Sequence, residues 1–151
     1  MFFEVDTSNL PLFEISLYDI EKPSDFNKFT EFWENIHSKN KKYYFLFNTK
    51  DMSTPMPNYC IKMANFIKKL KQQDVNALVF SVICVKTSML RQMASLIFKV
   101  TPPMSPVYIV KHRDEGLQVY KDLMEGKKVS CKVIMPKKSN NNNNNLPSSA
   151  Q

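Results

Sequence analysis

At 151 residues the chain has the length of one domain and its tail, not of two ordinary domains. Hydrophobic residues make up 43% of it, with eleven Phe, and that supply of core material excludes a wholly disordered chain. The net charge of +7 points to an acidic partner. Yet every base except Arg91 and Arg113 is lysine, which argues against a surface that reads nucleic-acid sequence through arginine forks.

Phe2–Asp6 and Leu12–Tyr18 alternate with period two, placing Phe13, Ile15 and Leu17 on one face and Glu14 and Ser16 on the other. They read as an antiparallel hairpin at the sheet margin. Pro23-Ser24-Asp25 opens a helix with Ser24 as the expected cap, and Phe26, Phe29, Trp33 and Ile36 form its apolar stripe. Tyr43–Phe47 is a strand without alternation, hence covered on both faces.

After the polar loop Asn48–Asn58, a second helix carries Tyr59, Met63, Phe66 and Leu70, with lysines on its wet side. Ala77–Val85 is the most continuous apolar run and reads as the central strand, with Phe80 and Ile83 expected buried on opposite faces. Thr87 and Ser88 offer a hydroxyl cap to a broadly apolar third helix, Met89–Phe98, which Thr101-Pro-Pro103 stops. Val107–Val110 is the next strand. Asp114 is the expected cap of a last helix, which Gly126 terminates.

The order β-β-α-β-α-β-α-β-α spells an α/β fold with a mixed, mostly parallel sheet and an N-terminal antiparallel hairpin. The expected domain is 1–126. Residues 127–151 read as a basic, Asn-rich, largely disordered tail, within which Val129–Met135 either adds a short strand or packs as an arm.

Gly116 and Gly126 are the only glycines, so no glycine-rich phosphate cradle can be built. Cys60, Cys84 and Cys131 fall at no ligand-like spacing, and a reduced, cytoplasmic compartment fits them. No leader and no run of about 18 apolar residues is present, so the chain is not expected to span a membrane. His37 and His112 read as solvated helix-end residues rather than metal ligands, and Glu31 with Glu34 as a wet helix face. Cys60 near a helix start is a weak nucleophile candidate without a partnered histidine. These residues predict no enzyme, cofactor or metal.

The strongest candidate site lies where loops leave the C-terminal ends of interior strands, because ligands and partners of open α/β sheets meet there. Lys50, Asp51, Ser53, Thr54 and Asn58 come from one loop, and Lys86, Thr87 and Ser88 from the next.

Tyr44–Asp51, Leu78–Val85, Met89–Phe98, Pro106–Val110 and Asp114–Tyr120, in that order, resemble the STAS-like fold of anti-sigma-factor antagonists, particularly SpoIIAA-like domains. The resemblance covers about residues 2–125 and implies a non-catalytic, regulatory protein-interaction module. Lipid-binding relatives imply an alternative, a carrier of lipid or a small molecule between sheet and helices. In the bacterial regulators a phosphorylatable serine begins the helix after the polar loop, in an Asp-Ser-Ser-Gly-type motif. Asp51-Met-Ser53-Thr54 stands in that place, without the motif's glycine and with Pro55 and Pro57 following.

Overall fold

A computed structural model describes residues 1–53 and 57–136. They form a six-stranded mixed sheet and four helices. The elements are β1 (Phe3–Asn9), β2 (Leu12–Leu17), α1 (Pro23–Ser38), β3 (Tyr43–Asn48), α2 (Pro57–Lys71), β4 (Leu78–Cys84), α3 (Ser88–Val100), β5 (Val107–Val110), α4 (Arg113–Met124) and β6 (Lys132–Ile134). The strands lie side by side in chain order. β2 to β5 are parallel, while β1 and β6 run antiparallel at the two edges.

Right-handed crossovers between successive parallel strands put α1, α2 and α3 on one face. Their core contains Phe29, Trp33, Phe66 and Ile67 against Ile15, Phe45 and Phe47. Alone on the other face, α4 brings Val119 and Tyr120 against Tyr44, Leu46, Phe80 and Val82. It comes close because residue 116 is glycine. A Cβ there would stand 2.8 Å from Cys84 Sγ and 3.3 Å from both Leu46 Cδ1 and Val82 Cγ1.

Several local expectations need correction. α1 begins one residue before Ser24, with Lys22 at its N-cap. The Asp25 carboxylate, rather than a serine hydroxyl, accepts the backbone N–H groups of Glu21 (3.1 Å) and Lys22 (3.2 Å). α4 likewise starts at Arg113 with His112 at the cap, so Asp114 lies inside the first turn. Thr87 does cap α3, its hydroxyl accepting from Leu90 N at 3.2 Å. Gly126 takes the left-handed φ of 75° that only glycine adopts freely, ending α4.

Glu14 is not on a wet face. α4 covers that side, and Arg113 forks onto the carboxylate with contacts of 2.8–3.1 Å. Past Gly126 the chain returns to the sheet, and β6 pairs with β5, so the strand alternative for Val129–Met135 is realised over three residues. Lys137 onward lies outside the described residues. No helix among the described residues is long and apolar enough to cross a membrane.

Candidate functional site

α1, α2 and α3 do not seal the face they cover. A cleft of about 170 Å³ lies between these helices and the C-terminal ends of β2, β3 and β4. The sheet supplies Leu17, Phe47, Ile83 and Val85; α1 and α2 supply Phe26, Phe29, Cys60 and Met63. The remaining wall is α3, through Leu90, Met93, Ala94 and Ile97.

This gap explains an incomplete burial. Phe80, under α4, is buried, whereas Ile83, on the opposite face of β4, is only half-buried. Met93, Ile97 and Phe98, the inward residues of α3, are also half-buried, and Leu90 is that helix's only buried residue. α3 packs mainly against its neighbour α2, and of its inner side chains only Leu90 is fully buried against the sheet.

The cavity wall is almost wholly hydrocarbon. Among the described lining residues only Asp19, Thr49 and Tyr59 carry side-chain oxygen. Thr49 is buried and donates its hydroxyl to the Cys84 carbonyl at 2.7 Å, tying the loop after β3 to the end of β4. Asp19 accepts from the Ser53 backbone N–H at 3.0 Å and from the Ser53 hydroxyl.

The expected site residues gather at the same end of the sheet. Lys50 and Asp51 are exposed in the loop after β3, where the Lys50 N–H donates to Asn48 Oδ1 at 3.1 Å. Ser53 is engaged with Asp19, and Asn58 is exposed in the first turn of α2. Lys86, Thr87 and Ser88 are exposed at the entry to α3, with Thr87 occupied as its cap. Thr54 lies outside the described residues. The described ones stand around the cavity rather than in its wall, and the lining residues themselves carried no sequence signal beyond apolarity.

Cys60 loses its reactive role, and the reading of His37 as solvated is corrected. Cys60 is buried in the cavity wall, and burial raises its thiol pKa, opposite to what a nucleophile needs. His37 is not solvated; it is 1% exposed. The Trp33 indole N–H donates to the Tyr43 hydroxyl at 2.9 Å, and that hydroxyl lies 2.7 Å from His37 Nδ1. That contact shares one proton between the hydroxyl and Nδ1, while His37 Nε2 is buried without a hydrogen-bond partner among the described residues. Burial lowers the His37 pKa and keeps the ring neutral. The three side chains form a structural brace between α1 and β3, remote from the cavity loops. Among the described residues no cluster of three or more His, Cys, Asp or Glu could hold a metal ion.

No protein-family profile, no curated protein and no solved structure matches this chain.

Proposed function

We propose that the domain binds an apolar ligand, a lipid chain or a compact hydrophobic small molecule, in the cavity between the sheet and α1–α3. One observation carries this reading: a half-open cleft of about 170 Å³ with an almost wholly apolar wall, at the strand ends where α/β sheets place their ligands. The space is half open, so its apolar wall faces water when the site is empty. Occupation by hydrocarbon recovers dispersion contacts and removes apolar surface from water. A dry cavity of about 150 Å³ accepts a benzene-sized molecule, so the occupant's buried part is of the order of a single ring or a short acyl segment.

The test is titration of the purified protein with N-phenyl-1-naphthylamine, followed by fluorescence, beside native mass spectrometry of the same material. Saturable binding displaced by a medium-chain alcohol supports the reading. Absence of saturable binding, with no co-purifying small mass, refutes it.

A second reading is a regulatory, protein-binding module of STAS-like type, without catalysis, meeting an acidic partner at the polar loops. It is favoured by the exposed group Lys50, Asp51, Asn58, Lys86 and Ser88 around the cavity. Pull-down followed by affinity measurement on Lys50→Glu and Lys86→Glu tests it. Charge reversal at a true contact should weaken binding at least tenfold, about 1.4 kcal/mol; unchanged affinity would remove these loops from the interface.

A further inference from the structure

We propose that the outer surface of α3, with the adjoining β6 edge, docks on an anionic phospholipid bilayer. The choice of partner rests on the apolar-ligand reading, because α3 is at once the cavity's wall and the bearer of this surface.

α3 is apolar on two sides. Its inner side lines the cavity through Leu90, Met93, Ala94 and Ile97. Met89, Leu96 and Val100, at i, i+7 and i+11, fall on a second line along the helix, and they are 56%, 48% and 60% exposed. A surface helix in a globular protein has one apolar stripe, facing its core. The second stripe here has no covering element among the described residues.

Charge is equally one-sided around this stripe. The sequence contains no acid from Val75 to Arg113 and none from Gly126 onward. Arg91 and Lys99 of α3 face Lys132 of β6 across a shallow groove of about 440 Å³, whose other described lining residues are uncharged.

Aliphatic side chains interleaved with bases, and no acid among them, match the boundary between anionic headgroups and acyl chains. Each exposed base near such a surface strengthens binding about fivefold, so Lys99 and Lys132 together supply about twenty- to thirtyfold. A nucleic acid fits less well. The large apolar side chains exposed among the described residues are all aliphatic, leaving no aromatic platform for bases. Docking by α3 also sets the wall of the hydrocarbon cavity against a hydrocarbon source.

The experiment is vesicle flotation of the full chain, using phosphatidylcholine alone and phosphatidylcholine with about one third phosphatidylserine, chosen to give a clear negative surface potential. The variants are Lys99→Glu/Lys132→Glu, Leu96→Ser/Val100→Ser and a chain ending at Pro136. Wild type should float with the anionic vesicles only. Each double variant should bind them at least tenfold more weakly, while the truncated chain keeps its binding.

Naphthylamine binding without vesicles is measured on the same proteins, and the double variants should retain it. Wild type that binds the probe but not anionic vesicles overturns the docking proposal and leaves the cavity reading standing. Flotation without probe binding does the reverse. Double variants that float like wild type, or a truncated chain that does not float, would move the contact elsewhere and overturn the proposal. So would wild type that ignores both vesicles yet binds polyglutamate, since its partner would then be an acidic protein.

Discussion

Ala94→Leu is the most direct probe of the space beneath α3. Ala94 sits midway along the helix and borders the cavity, so a longer side chain there enters open volume rather than packed atoms. Leucine adds three carbons. At about 0.8 kcal/mol per buried methylene the substitution stabilises the ligand-free protein by about 2 kcal/mol. For a domain of this length each kcal/mol raises Tm by about 2–4 °C, so the melting point should rise by about 4–8 °C. Urea unfolding should move its midpoint upward at constant slope, since the surface exposed on unfolding scarcely changes. The same variant should lose naphthylamine binding at least tenfold, because side chain and ligand compete for one volume. A loss of more than about 1 kcal/mol would mean that α3 already seats against the sheet, the overpacking case, and the cavity argument would fall. Unchanged probe affinity with raised stability would place the ligand elsewhere.

Other expectations follow from the two sheet faces. Tyr43→Phe leaves the Trp33 indole N–H and His37 Nδ1 buried without their shared partner, and should cost about 2–5 kcal/mol in urea unfolding; a change of a few tenths would show that the brace is not formed. His37 is held neutral by burial, below its ordinary pKa of about 6.5, so below that pH the unfolded chain binds the extra proton more readily. The contribution is therefore complete above about pH 6.5 and is lost as the pH falls through the folded pKa. Urea midpoints measured between about pH 7.5 and 5.5 should decline for wild type and much less for His37→Gln, and parallel declines would exonerate the histidine. Gly116→Ala drives a methyl into Cys84 Sγ and two aliphatic neighbours, and should destabilise by about 1–3 kcal/mol although alanine is the better helix former. Burial pushes the Cys84 thiol up to about 12, so this cysteine should resist alkylation until the chain unfolds; prompt labelling in the native state would contradict that packing.

The layered fold was legible because its strands are marked by two different patterns. Tyr43–Phe47 and Ala77–Val85 lack alternation because helices cover both their faces, and both became interior strands. Glu14 shows where that logic stops. Alternation from Phe13 to Leu17 suggested one wet face, but a charged residue can occupy a covered face when a long-range partner reaches it. Arg113, 99 residues away, is that partner. The His37 brace escaped for a related reason. Helix-end position and a charged neighbourhood suggested solvent, whereas burial was decided by Trp33 and Tyr43, whose side-chain polar ends meet only after α1 folds against β3.

The cavity is a harder case, because a residue lining a void and a residue filling a core have the same composition. Met93, Ile97 and Ile83 carry nothing in the sequence to say that they meet open space rather than one another. What does carry information is the surplus. An amphipathic helix needs one apolar stripe, and Met89–Val100 has apolar residues around most of its circumference, more than a single core contact can use. The inner part of that surplus borders the cavity and the outer part stands in solvent. Thr87 fixes where the helix starts and Pro102 limits where it ends, while its own contacts with the sheet are sparse. Such a helix is held along its length by α2 more than by the sheet, so its inner side can part from the sheet where a ligand enters. The excess apolarity of α3 is therefore the sequence feature that bears on function, more than the polar loops beside it.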